Sequence, residues 1–361
     1  MTNRKIEDID KNLKVETSLS VEDICFHDVR KDPFDLYGLY RAKEEPVFKR
    51  MPDNVATATS EGVERLAKNT AGGRVRFTTD SSYIAIKCAM PSITRFPHMT
   101  LTGTTGFDLY IDKNGKGIYA GTFMPPVDIQ DGYESIFHFP DRASRSVTIH
   151  FPLYNEVSEL HIGLQKDAAL DHGAKYTYEK PVLYYGSSIT QGGCASRPGN
   201  SYENIVSAKL DCDHINLGFS GSARGEDAIV DYMATLDFSI FVSDYDYNAP
   251  SVEHLRDTHE KMFLEIRRTH PATPVVFMSR PNFDIDVEQS VIRRDIIYQT
   301  FMNAQANGDR NVFFLDGECL FKDENRDACT VDGCHPNDAG FVRMAEAVAR
   351  VMDSILRRTS V

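Results

Sequence analysis

Val182-Leu183-Tyr184-Tyr185-Gly186-Ser187-Ser188-Ile189-Thr190 is the stretch on which the reading of this chain turns. Four apolar residues make a short strand of the buried type, and the glycine and serines behind it supply a tight turn into a helix. The unit recurs downstream. His214-Ile215-Asn216-Leu217 runs into Gly218-Phe219-Ser220-Gly221, and Phe238-Ser239-Ile240-Phe241-Val242 into Asp244-Tyr245-Asp246-Tyr247-Asn248. Pro274 introduces Val275-Val276-Phe277-Met278, and Asn311 introduces Val312-Phe313-Phe314-Leu315. Helical patterns lie between. Val252, Leu255, His259, Met262, Phe263 and Ile266 share one face, as do Phe341, Met344, Ala345, Val348 and Met352 near the end. Five apolar strands alternating with helices predict an α/β unit, a parallel sheet covered on both faces.

Upstream the rhythm differs. Gly73 to Thr79, Tyr83 to Cys88, Phe107 to Ile111 and Ser146 to Phe151 alternate with period two, and turn residues such as Asp112-Lys113-Asn114-Gly115 bound them. That is the strand and hairpin signature, with no convincing amphipathic helix in between. The first half is therefore predicted to be an antiparallel β-sandwich. The change falls in the polar stretch from Gln165 to Lys180, giving an N-terminal domain over 1–170 and a C-terminal domain over 175–361.

Composition narrows the function classes. A chain of 361 residues, 41% hydrophobic, can fill two ordinary cores. A net charge of −13 argues against binding nucleic acid through its phosphates. No run approaches the length of a membrane span. The polar start, Met1 to Glu16, does not read as a secretory signal, and seven cysteines at scattered spacings do not form a disulfide framework. A cytoplasmic, reduced protein is expected. Gly218-Phe219-Ser220-Gly221-Ser222-Ala223-Arg224-Gly225 is neither a P-loop nor GxGxxG, so no nucleotide cofactor is expected. Cys329, Cys334 and His335 lie at the loose edge of a zinc-knuckle spacing, but a second knuckle is lacking and no metal is expected.

The chemistry collects where the strands end. Ligands of parallel α/β sheets bind beyond the carboxyl ends of the strands. Ser188, Gly221, Asn248, Asp332 and His335 all sit in loops that should open there. A neutral serine needs a base, and the base needs an anion to hold its tautomer; Asp332, three residues before His335, supplies the pair. Plainer roles exist for each. Ser188 could cap a helix, His335 before Pro336 could order a turn, and Gly218 and Gly221 could serve turns alone. Arg197 and Arg280 could reach a polar substrate or fix loops by ion pairs. The other histidines, His259 and His270 among them, are expected at the surface or in helix packing.

At these residues the C-terminal half resembles the SGNH hydrolases, also called GDSL esterases. Gly186-Ser187-Ser188-Ile189-Thr190 is similar to the first family block, Gly221 to the glycine of the second, Asn248 to the asparagine of the third, and Asp332 and His335 to the Asp-x-x-His pair. Gly106-Phe107-Asp108-Leu109-Tyr110 resembles the GxDLY signature of a β-rich domain that precedes some of these esterases. Two departures stand out: Ser187 replaces the usual Asp, and Asn248 lacks the Gly and Asp that normally flank it. The resemblance implies a flavodoxin-like three-layer α/β/α domain with a five-stranded parallel sheet behind a jelly-roll-like sandwich. It implies a catalytic set of Ser188, Asp332 and His335, with an oxyanion hole from Ser188, Gly221 and Asn248. It further implies hydrolysis of acyl esters, acetylated carbohydrates above all. The substrate expected is a small-molecule or oligosaccharide ester, with no cofactor, and self-association stays open. A hydrolase of longer acyl chains, lipase- or thioesterase-like, and a non-catalytic binding protein on the same scaffold are the alternatives. Asp108 is expected to tie its own strand or turn. The absence of tryptophan weakens the case for the sandwich as a carbohydrate-binding module.

Overall fold

The computed structural model describes residues 19–321 and 324–359; the polar start from Met1 to Glu16 lies outside them. Ten strands build the first half: β1 (Ile24–Asp28), β2 (Asp35–Tyr37), β3 (Arg74–Thr79), β4 (Tyr83–Ala89), β5 (Phe107–Asp112), β6 (Gly117–Phe123), β7 (Gly132–His138), β8 (Arg145–His150), β9 (Glu159–Gln165) and β10 (Leu170–His172). They form two antiparallel sheets, β1-β9-β4-β7 and β10-β3-β8-β5-β6, with β2 also on β3. Val75, Phe77, Leu109 and Ile149 of the larger sheet share a core with Ile84, Ile86, Leu160 and Ile162 of the smaller one. Inward residues at every second position are what a sandwich requires.

The second half holds β11 (Tyr178–Gly186), β12 (Cys212–Gly218), β13 (Ile240–Asp244), β14 (Val275–Met278) and β15 (Val312–Leu315), all parallel and ordered β12-β11-β13-β14-β15. Counted within this half the order is 2-1-3-4-5, the flavodoxin-like arrangement. Successive side chains of β11 point to opposite faces, and each face has its own helices. Leu183 and Tyr185 pack with Met233, Leu255, Met262 and Ile297 of α6 (Asp227–Thr235), α7 (Val252–Thr269) and α8 (Val287–Ala306). Val182 and Tyr184 pack with Val206, Phe341, Met344 and Met352 of α5 (Tyr202–Leu210) and α9 (Asp338–Thr359).

Three short helices in the first half depart from the expected all-strand reading: α1 (Asp53–Thr59), α2 (Glu61–Leu66) and α3 (Leu101–Thr104). At seven, six and four residues they are too short to show a helical period. Their partners also lie elsewhere in the chain. Met51, Ala56, Val63, Leu66 and Ala67 share a core with Ile229, Val230 and Met233 of α6. The segment around residues 50–67 therefore completes the far side of the parallel-sheet layer. Arg50, 2% exposed, drives its guanidinium between the halves and donates to Gly218 O at 2.5 Å and Leu66 O at 2.6 Å. Arg74 pairs with Asp213 and meets Tyr176 OH at 3.0 Å. The polar stretch after Gln165 is not free either. Leu170–His172 adds a strand to β3, and Tyr176 is buried against Arg74 and Arg76.

Candidate active site

Strand β11 ends at Gly186, and α4 (Ser188–Gln191) follows at once. A Cβ on Gly186 would collide with Thr190 Oγ1, and one on Gly218 with the backbone of Gln191, so glycine is required where the two strand ends meet this turn. Ser187 takes the capping role, its Oγ accepting from Ile189 N at 3.2 Å. That leaves the Ser188 hydroxyl for another partner. Ser188 is 6% exposed, and its Oγ lies 2.9 Å from His335 Nε2. Thr190, which stands where other nucleophile turns carry a second glycine, donates to the buried Asp244 carboxylate at 3.0 Å. Burial, aided by the nearby Asp246 and Glu203, pushes the Asp244 carboxyl up to about 8, against the Thr190 hydrogen bond.

The partner loop sits between β15 and α9. Asp332 Oδ1 accepts from the backbone N–H of His335 at 2.8 Å and of Cys334 at 3.0 Å, and Oδ2 lies 2.7 Å from His335 Nδ1. Gly333 makes the turn possible at φ +84°. Burial alone would raise the Asp332 carboxyl, but the N–H groups and imidazole around it outweigh burial and hold it at about 2. An ionised carboxylate only accepts, so the proton sits on Nδ1 and the Nε2 lone pair faces Ser188.

Gly221 and Asn248 occupy the two loops beside the Ser188 turn. Gly221 adopts φ +68°, and a Cβ there would meet nothing within 4 Å, so the left-handed backbone rather than crowding explains the glycine. Among the described residues the N–H groups of Ser188 and Gly221 make no hydrogen bond within the protein. Asn248 Nδ2 donates to Phe219 O at 2.7 Å, which fixes the amide and leaves its second N–H. Hydrogen bonds knit this edge together: Ser187 N to Asp244 O at 3.1 Å, Phe219 N to Gly186 O at 2.9 Å, and Arg280 N to Asp246 Oδ2 at 3.0 Å.

Both arginines sit in the loop-fixing role. Arg280 pairs with buried Asp246 at 3.3 Å and lies 4.7 Å over Tyr247. Arg197 Nη1 reaches Asp108 Oδ2 at 2.8 Å and Tyr110 OH at 2.5 Å. Arg197 thus has a buried carboxylate beside it, whereas Arg280 shares Asp246 with Arg293, whose Nε lies nearer at 2.7 Å. Asp108 likewise does more than tie its own strand. Fully buried, it accepts from Gly199 N at 2.8 Å and contacts His150 Nδ1 at 2.9 Å as well as Arg197. It thus clamps the loop behind α4 onto the sandwich. That loop is pinned on its other side, where Asp338 accepts from Ser196 N at 2.9 Å.

Two neighbours of His335 carry no signal in the sequence. His98, from the segment between β4 and α3, places its ring 5.3 Å from that of His335. Cys194, just past α4, donates to His98 O at 3.4 Å. Of the metal-ligating types among the described residues, His98, Cys194 and His335 converge here rather than the Cys329–Cys334–His335 set that the spacing singled out.

Residues 179–353 match the GDSL-like lipase/acylhydrolase family, and residues 24–170 match the N-terminal GxDLY domain of SGNH-type esterases. Among curated proteins none matches. A protein from Bacteroides ovatus described as a GDSL-like lipase superposes with a TM-score of 0.83 at 28% identity, over 92% of this chain and 98% of its own. A salicylyl-acyltransferase of a tetracycline biosynthetic pathway gives 0.75 at 19%, over 93% and 98%. A family two carbohydrate esterase from Cellvibrio japonicus gives 0.61 at 13%, over 92% and 98%.

Proposed function

We propose, from the premise that this chain belongs to the SGNH hydrolases, or GDSL esterases, and is a carboxylic ester hydrolase, that it removes short acyl groups, acetyl foremost, from carbohydrate hydroxyls through an acyl-enzyme on Ser188. The observation that carries this reading is the unbroken line from Asp332 through His335 to the Ser188 hydroxyl.

His335 Nε2 takes the hydroxyl proton as Ser188 Oγ attacks the ester carbonyl carbon. Asp332, ionised far below neutral pH, holds the tautomer and steadies the imidazolium. Negative charge develops on the carbonyl oxygen, and the unpaired N–H groups of Ser188 and Gly221 with the Asn248 amide are the donors for it. The tetrahedral intermediate collapses, and the sugar alcohol leaves with the proton from His335. Water then attacks the acyl-enzyme with His335 again as base, and the carboxylic acid departs. The carbohydrate assignment draws on the likeness in fold to the Cellvibrio japonicus esterase.

The test is acetate release from a panel of acetylated oligosaccharides, beside a chain-length series of nitrophenyl esters. Release that Ser188→Ala abolishes, with rates falling as the acyl chain lengthens, is the expected result. An optimum at long chains would move the assignment to a lipase- or thioesterase-like enzyme. Failure of a fluorophosphonate probe to label Ser188 would remove the nucleophile.

A further inference from the structure

We propose that His98, Cys194 and His335 form a binding site for a thiophilic divalent cation, best matched by zinc, whose occupancy switches the esterase off by taking the imidazole from Ser188. The inhibitory consequence rests on the role of His335 proposed above; the site does not.

The three residues come from three distant parts of the chain, yet each presents a ligand atom within 4.8 Å of the others. Zinc bonds of about 2.3 Å to sulfur and about 2.0–2.1 Å to nitrogen put neighbouring ligand atoms about 3.5 Å apart in a tetrahedron. Closing the set takes a shift on the order of 1 Å. His98 can supply it, because it is only half-buried in a largely exposed segment over residues 91–100. One thiolate and two imidazoles favour zinc and similar soft cations over magnesium or calcium, which prefer oxygen. Three protein ligands leave a fourth position for water.

The outer contacts suit a metal ligand. Asp332 holds His335 Nδ1 at 2.7 Å, so Nε2 is the nitrogen that a cation can take. A carboxylate behind a ligating histidine is the usual orienting arrangement in zinc sites. The same Nε2 lone pair faces the Ser188 hydroxyl at 2.9 Å. One lone pair cannot serve both, so metal binding and ester attack exclude each other. Cys194 is held in a left-handed backbone at φ 72°, with its thiol against His98 O at 3.4 Å. Burial and then the Asp332 charge push that thiol up to about 12, so the cation must displace its proton to solvent as the sulfur–metal bond forms.

The experiment uses the full chain, freed of metal by a chelator. Zinc is titrated against a chromophoric chelator, cobalt(II) is added in parallel, and nitrophenyl acetate hydrolysis is followed. One zinc per chain is expected, with hydrolysis falling in step with occupancy and returning on chelation. Cobalt should give a thiolate-to-metal charge-transfer band in the near ultraviolet. Cys194→Ser should abolish the band, and both Cys194→Ser and His98→Ala should weaken zinc by at least the roughly 10-fold that even an outer partner of a metal ligand contributes. Cys319→Ser, which removes an exposed thiol, should leave the band in place. A band that survives Cys194→Ser, or equal zinc affinity in wild type and both variants, overturns the site. Full hydrolysis with zinc bound at Cys194 overturns the inhibition. A chain that hydrolyses no ester would sink the esterase reading, and the cobalt band and zinc titration would still decide the site.

Discussion

Asp332 and Asn248 are the residues whose replacement separates orientation from charge stabilisation. In Asp332→Asn a neutral amide faces Nδ1, and the wrong tautomer becomes available to Ser188. A loss in kcat on the order of 10⁴-fold at neutral pH is expected, by analogy with other triads. Asn248→Ala removes one donor to the developing oxyanion and should lower kcat about 100- to 1000-fold with KM little changed. Steady-state kinetics on nitrophenyl acetate reads both. A change of only a few-fold in Asn248→Ala would mean that the amide serves Phe219 O alone. At this scale the sequence foretold that Ser188, Asp332 and His335 would meet, because polar loops gather where parallel strands end. It was silent on His98, a lone histidine in a loop whose neighbour is more than two hundred positions away.

The elements around the nucleophile are held by buried acids, and their charge makes two predictions. Asp244, at the end of β13, is raised to about 8 in the folded protein, against an unfolded carboxyl near 3.8. Between those values the folded state holds the proton more tightly, so stability falls as pH rises through the window and levels off above about 8. Asp244→Asn keeps a polar partner for Thr190 without that penalty. Its melting temperature should gain on wild type progressively from pH 5 to pH 8 and hold a constant margin above; a margin independent of pH would show that Asp244 does not titrate there. Asp108, between β5 and the loop over residues 192–200, is the second case. Asp108→Ala leaves the part-buried Arg197 without its carboxylate, and the loss should reach at most about 3–5 kcal/mol, the cost of breaking a fully buried pair. Denaturant unfolding should show that loss, and Ser188 turnover should fall with it as the loop behind α4 loosens. An unfolding midpoint equal to wild type would contradict the clamp.

The whole molecule behaves as one folding unit on this reading. The segment around residues 50–67 completes the core beside α6, and the buried guanidinium groups of Arg50 and Arg74 find their acceptors across the junction. Residues 175–361 expressed alone would expose that apolar surface and leave Asp213 without its cation. They are expected to aggregate or to lack a cooperative melt, whereas the full chain should unfold in a single transition seen by both circular dichroism and calorimetry. A cooperative melt and near-full activity from the isolated segment would show that the sandwich is dispensable.

Periodicity along the chain settled the parallel sheet, because β11 and β13 to β15 each hold an apolar run of three or four residues, β12 keeps Ile215 and Leu217 among buried polar neighbours, and each strand carries its own turn into the next loop. The Ser, Asp and His were readable for a related reason: the carboxyl ends of such strands are where polar loops must gather. The two arginines, Asp108, the helices over 53–66 and the pairing of His98 with Cys194 were assigned by three-dimensional packing instead. Their partners lie tens to hundreds of residues away, most of them on the other side of the junction between sandwich and sheet, and a contact between distant segments leaves no periodic trace in either. A charged or thiol side chain reads the same in a sequence whether it meets solvent, a substrate, a metal or a buried counter-charge. The neighbours that close around it on folding determine which.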